Sequence, residues 1–141
     1  MTELEECIRK GLIRKIPPSQ EQAYLSMEKA WEMLGEAQAN LEESRYNSAV
    51  LVGYVAALNA AKALLSRDGF REKSHYCIAR FLEVHYCEVL GSGMLHMFDT
   101  YREARHETQY SATHNSNESE AKEFIRFTEE FLEKISGLIG D

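Results

Sequence analysis

Apolar residues recur every three or four positions along most of this chain, which is the spacing of one face of an α-helix. The clearest stripe lies near the C-terminal end and consists of Ala121, Phe124, Ile125, Thr128, Phe131, Leu132 and Ile135. An earlier stripe consists of Tyr24, Met27, Trp31, Leu34 and Leu41. We expect each stripe to face a neighbouring helix, and no alternating pattern indicates a strand.

Residues that cap or stop helices divide this pattern into elements. The predicted helix starts are at Thr2, Ser19, Ser74, about Met94 and about Asn117. The predicted stops are Pro17-Pro18, Gly69 and the run Gly91-Ser92-Gly93, so the third long helix runs from Ser74 through Val89. The polar run 111–116 is typical of a loop. The expected architecture is all-α, an up-and-down bundle of about five helices. It forms one domain over residues 1–141, with residues 1–16 as a short helical N-terminal extension.

The most apolar run, from Ser48 to Leu65, raises the question of a membrane span. A span needs about 20 strongly apolar residues, whereas this run is rich in alanine and contains Lys62. Its small residues fall on one stripe, at Gly53, Ala57, Ala60 and Ala61. We therefore expect a central helix closely approached by its neighbours, and no membrane association.

The charge and the cysteine content of the chain limit the kinds of protein it can be. The chain has 141 residues, of which 16 are basic and 23 acidic, for a net charge of −7. Indiscriminate nucleic-acid binding depends on an excess of Lys and Arg, so any such contact must be local. No secretory signal pattern opens the sequence, which predicts a cytoplasmic protein. Three cysteines are an odd number, and free buried thiols in a reducing cytoplasm are the simpler interpretation.

The triplets His75-Tyr76-Cys77 and His85-Tyr86-Cys87 contain residue types that bind zinc. They lie about 15 Å apart along one predicted helix, and no further ligand pair accompanies them. No glycine-rich phosphate loop is present either. We expect no metal and no cofactor.

A polar stripe on the fourth predicted helix is the best candidate for chemistry. Arg102, Arg105, His106 and Gln109 share one face, and arginine suits phosphate because its planar fork donates paired hydrogen bonds. Five basic residues lie near the end of the central helix, at Lys62, Arg67, Arg71, Lys73 and Arg80. A solvated charged face would explain the same residues.

The order of these segments resembles the HEPN superfamily. The matching residues are Ala49 with Tyr54, Ala63-Leu64-Leu65 with Gly69, His75 and Phe81, Arg105 with Tyr110, and Ala121 with Phe131-Leu132. The resemblance covers about residues 41–135. It implies an all-α bundle, commonly a symmetric dimer in which the arginine segments of two protomers meet at a cleft, and often a small nucleotidyltransferase as partner.

Catalytic HEPN ribonucleases carry an arginine, four to six residues, and a histidine. Here His106 follows Arg105 at once, His114 comes after eight intervening residues, and Tyr110 occupies the fifth position after Arg105. A tyrosine with a pKa of about 10 is a poor general base near neutral pH. The catalytic candidates are therefore Arg105 with Tyr110, His106 or His114. Tyr110 stands at the usual spacing but is not a histidine, and neither histidine stands at that spacing.

Three functional hypotheses stay open. The first is a dimeric HEPN-like protein, non-catalytic or weakly catalytic, that binds a nucleotide or RNA phosphate through Arg102, Arg105 and Tyr110 and acts with a minimal nucleotidyltransferase. The second is a metal-independent RNase toxin of a toxin-antitoxin pair that uses Arg105 with His106 or His114. The third is a purely structural helical dimer.

Overall fold

The computed structural model describes residues 1–110 and 115–140, with residues 107–110 described by their backbone alone. Its helices are α1 (Glu3–Arg9), α2 (Gln20–Glu42), α3 (Tyr46–Asp68), α4 (His75–His85), α5 (Cys87–Leu90), α6 (Ser92–Tyr110) and α7 (Glu118–Ile139). The short strands are β1 (Ile13–Lys15) and β2 (Phe70–Glu72). The all-α class is confirmed, although the described residues form seven helices rather than about five.

The predicted caps account for four of the helix starts. The side chains of Thr2, Ser19, Ser74 and Asn117 each accept a hydrogen bond from the backbone N–H three residues later. Such a bond satisfies one of the N–H groups that have no partner within the first turn. Helix α6 begins at Ser92, two residues before the predicted Met94.

Helix α3 is the centre of the bundle and packs against both α2 and α7. More than half of its residues are buried, including the whole predicted stripe of small residues. A Cβ at Gly53 would lie 3.3 Å from the side chains of Phe124 and Ile125, so the absent side chain allows α7 to come close. This helix is long and apolar enough to cross a membrane, but 67% of its most apolar window is buried inside the bundle. That burial is typical of the core helix of a soluble domain.

A small antiparallel ladder was not predicted. Strand β1 pairs with β2, with Ile13 opposite Glu72 and Lys15 opposite Phe70. Three residues are too few for an alternating pattern to be recognised. The ladder joins the N-terminal extension to the end of α3, and Gly69 makes the turn there with φ of 87°.

The expectation of one helix from Ser74 to Val89 is wrong. Helix α4 ends at His85, Tyr86 adopts φ of −129°, and α5 begins at Cys87. The buried Tyr86 donates a hydrogen bond from its hydroxyl to Asp68 and accepts one of 2.7 Å from Arg67. Both partners lie at the C-terminal end of α3. The break between α4 and α5 therefore places the Tyr86 hydroxyl beside Asp68 and Arg67.

The expectation of three free thiols is also wrong. Cys7 of α1 and Cys77 of α4 form a disulfide, and both are buried. The packing of α1 on α4 brings their Cα atoms to 5.9 Å, a separation that a disulfide can bridge. Cys87 is free, but it is exposed rather than buried in the core.

Candidate functional site

Arg105 lies over the aromatic ring of Tyr54. Its Cζ atom is 5.6 Å from the ring centroid, within the range of a cation–π contact. The side chain is half-buried, and within the described part of the chain it forms no ion pair. Among those residues, Arg105 is therefore a partly desolvated cation whose donors are not committed to a carboxylate.

Tyr54 itself is 1% exposed, and its hydroxyl has no hydrogen-bond partner among the residues that the structure describes. Burial raises the pKa of this phenol well above its ordinary value, and the charges of Arg102 and Arg105 lower it only in part. The hydroxyl consequently stays protonated and can donate a hydrogen bond.

His75 completes the cluster from a third helix. It is the first residue of α4, it is half-buried, and its ring centroid is 5.9 Å from that of Tyr54. Burial lowers the pKa of this imidazole, and the positive charges of Arg105 and Lys62 lower it further. The ring is thus neutral near pH 7, with one N–H donor.

The other arginines near this cluster are paired. Arg102 Nε donates to Asp99 Oδ1 at 2.7 Å, and its guanidinium lies 5.5 Å from the ring of Tyr76. Arg80 is 8% exposed and forms ion pairs with Asp99 and Glu83, each at 2.8 Å. Arg102 and Arg80 therefore share one carboxylate, whereas Arg105 has none within residues 1–106 and 115–140.

Most of the predicted basic run is neutralised locally. Lys62 Nζ lies 3.3 Å from a carboxylate oxygen of Glu72. Arg67 pairs with Asp68 and donates to the backbone carbonyl of Leu138. Within the described residues no group of three or more His, Cys, Asp or Glu side chains could hold a metal ion. Lys62 and Arg67 are therefore already occupied by partners within the chain, whereas Arg105 has no ion pair among the described residues.

Comparison with known proteins gives the family. The model of the HEPN domain matches residues 23–138, most of the chain. This chain belongs to the HEPN domain family. The crystal structure of TT1696 from Thermus thermophilus is similar, with a TM-score of 0.70 and 20% sequence identity over 82% of this chain and 97% of that chain. At that identity the likeness concerns the fold alone. No curated protein is significantly similar in sequence.

The HEPN match includes every candidate residue chosen from the sequence, but the structure describes only some of their side chains. His106 is exposed to solvent on α6. Tyr110 is the last residue of α6, and its side chain, like that of Gln109, lies outside the described residues. His114 also lies outside them. The side-chain contacts of the candidate phosphate-binding residues can therefore be compared only for Arg102 and Arg105.

Tyr101 precedes Arg105 by one turn on α6 and packs within this HEPN domain. The centroid of its ring lies 4.1 Å from that of Phe124 and 5.2 Å from that of Phe127. Helix α7 thus covers part of this ring, which is half-buried.

Two members of the site were not assigned to it from the sequence. Tyr54 and His75 were recognised as part of the HEPN pattern, but they lie 51 and 30 positions before Arg105. No local spacing connects residues on three different helices. A polar hydroxyl in an otherwise apolar helix was the available signal, because a buried hydroxyl needs a partner.

Proposed function

We propose that this HEPN protein binds the phosphate of a nucleotide or RNA, with Arg105 as its main contact. The observation that carries the proposal is the half-buried guanidinium over Tyr54, which no carboxylate pairs with in the described part of the chain. A cation held in this way gains more from an anionic ligand than an exposed one does, because less water screens it. Arg102 supports the site through its charge while it remains paired with Asp99.

The overall charge of −7 limits the kind of binding. Long-range attraction of a polyanion requires a broad basic surface, whereas here the neighbouring cations Lys62, Arg80 and Arg102 already face carboxylates. Affinity must therefore come from a few short contacts. This favours recognition of one or two phosphate groups over binding along an extended strand.

The protein acts, in this proposal, as a non-catalytic or weakly catalytic partner of a small nucleotidyltransferase and as a homodimer through the α6 region. Apposed arginine segments would form one shared cleft, and an anionic ligand would offset the repulsion between them. Light scattering should show a dimer at micromolar concentration, and a monomer there would remove this part of the proposal. Co-purification with the product of an adjacent nucleotidyltransferase gene would test the partner.

Fluorescence anisotropy with a labelled single-stranded oligoribonucleotide tests phosphate binding. Arg105→Ala should weaken binding by about 1.5 to 3 kcal/mol, roughly 10- to 100-fold, which is the range for hydrogen bonds to charged groups. Arg126→Ala is the matched control, because Arg126 is an exposed arginine on α7. An affinity within about twofold of wild type for Arg105→Ala would refute the assignment, since the expected loss is at least about tenfold.

A further inference from the structure

Among the described residues, two buried side-chain polar atoms have no hydrogen-bond partner, the hydroxyl of Tyr54 and Nε of Arg80. The Arg80 guanidinium has other partners, whereas the Tyr54 hydroxyl is the whole polar group of its side chain. A buried hydroxyl without a hydrogen bond destabilises the folded state, and phenylalanine would fill nearly the same space without that cost. The side chain lies in the middle of α3, 1% exposed, with Phe98 stacked at 6.2 Å between ring centroids. A ligand that accepts a hydrogen bond would give this hydroxyl a role.

Three side chains that carry hydrogen-bond donors lie next to one another here, each on a different helix. Tyr54 belongs to α3, His75 to the first turn of α4, and Arg105 to α6. The rings of Tyr54 and His75 are 5.9 Å apart, and the guanidinium of Arg105 is 5.6 Å from the ring of Tyr54. The imidazole also begins a helix whose N-terminal backbone dipole favours negative charge.

We propose that Tyr54, His75 and Arg105 together recognise a terminal phosphate, the monoester group at the end of a nucleotide or of a nucleic-acid strand. The inference rests on the proposed function and specifies its ligand. A monoester offers three unesterified oxygens, whereas the phosphodiester within a strand offers two. Three donors that approach from different helices match the three oxygens of the end group.

The charges of the described residues agree with this choice. A terminal phosphate carries between one and two negative charges near pH 7, and a diester carries one. Arg105 supplies a cation that no carboxylate neutralises in the described part of the chain, and Lys62 and Arg102 lie close enough to act on His75. The phenol and the imidazole add donors without adding charge.

The test uses one oligoribonucleotide in three forms: with a 5′-phosphate, with a 3′-phosphate, and with neither. Adenosine 5′-monophosphate and adenosine provide the corresponding pair of small probes. Removal of the terminal phosphate should weaken binding about tenfold or more, the effect expected for lost hydrogen bonds to a charged group. The comparison of 5′ and 3′ forms with the mononucleotide identifies the source of the phosphate.

Tyr54→Phe is the decisive variant. It should lower affinity for the phosphorylated probes about tenfold and leave the unphosphorylated strand unchanged, because it removes one donor to a charged group. Its melting temperature should be unchanged or higher, since the deleted hydroxyl has no partner among the described residues of the free protein. Tyr46→Phe, at the first residue of α3, is the matched control. His75→Leu is a second variant and should show the same selective loss, because leucine has no hydrogen-bond donor in its side chain.

The outcomes separate the two proposals. If Arg105→Ala weakens binding of both strands while the terminal phosphate makes no difference, phosphate binding stands and the terminal-phosphate assignment is overturned. If Tyr54→Phe and His75→Leu fold normally and keep the full preference for phosphorylated probes, these residues are not its determinants and the assignment is again overturned. If none of the probes binds, both proposals fail.

Discussion

Replacing the bridged cysteines Cys7 and Cys77 with alanine should lower the free energy of unfolding by about 4 kcal/mol. The two residues are 70 positions apart. In the chain-entropy description, closing a loop of that length removes about 15 cal/mol/K from the unfolded chain, or about 4.4 kcal/mol at 25 °C. Domains are stable by only about 5 to 15 kcal/mol, so this crosslink represents a large share of the total.

Thermal unfolding followed by circular dichroism measures the effect. At about 3 °C per kcal/mol for a chain of this size, the double variant should melt roughly 12 °C below the wild type. Adding a reductant should lower the melting temperature of the wild type toward that of the variant and leave the variant itself unchanged. Cys87→Ala is the control, because Cys87 is free and exposed, and it should change stability by no more than about 0.5 kcal/mol.

Alkylation followed by intact-mass measurement shows whether the bond forms in solution. The untreated protein, unfolded without reductant, should take up one alkyl group, and the reduced protein should take up three. Three groups on protein prepared under oxidising conditions, or a double variant that melts within about 2 °C of wild type, would refute the reasoning.

Three further predictions concern the turn after α3, the site and its chemistry. Gly69→Ala should destabilise the protein by at least about 2 kcal/mol, because φ is 87° and the new Cβ would lie 2.8 Å from the carbonyl oxygen of Ile16. Gly35→Ala, in open space on α2, should instead stabilise it by about 0.5 to 1 kcal/mol in the same urea titration. The lowered pKa of His75 means that the unfolded chain binds its proton more readily, so stability should fall as the pH drops through 6.5 toward that lowered value. His75→Gln should flatten this part of the pH profile, and an identical profile would contradict the assignment. Purified protein should cleave labelled single-stranded RNA little or not at all without metal, and Tyr110→His should raise cleavage by restoring the usual spacing. Robust wild-type cleavage that His106→Ala or His114→Ala abolishes would support the RNase hypothesis instead.

Local sequence patterns predict most of the local structure in this protein. The predicted stripe of α2 is right only in part, because Met27 and Leu34 are buried whereas Tyr24 and Trp31 are exposed. The cap residues Ser19 and Asn117 accept the expected backbone hydrogen bonds, and the stripe of α7 faces the core as its period predicts. These features depend on residues three or four positions apart, so the sequence of a single segment is enough to predict them. The HEPN pattern added the order of segments, which the family match confirms.

Features that depend on distant segments were missed. The pairing of Cys7 with Cys77 requires α1 to lie against α4, and no period in either segment indicates that contact. The break at Tyr86 depends on Asp68 and Arg67 at the end of another helix. At the site, Arg102 and Arg105 look equivalent in the sequence. The position of Asp99, one turn before Arg102, makes them different.

The HEPN match begins at residue 23, so a truncated protein that starts at this residue would be a natural choice for expression. Such a truncation would remove α1, which holds Glu3 within 3.3 Å of Arg80 Nη1 and 2.9 Å of the hydroxyl of Tyr76. It would also remove β1, the strand that pairs with β2, and Cys7, the disulfide partner of Cys77. Cys77 would then be a free thiol on a part of α4 that α1 no longer covers. Tyr76 lies beside His75 and under Arg102, so the cut would disturb the neighbourhood of the site without touching a site residue. We therefore expect recombinant versions that begin at the family boundary to differ at this site from the protein that retains the first 22 residues.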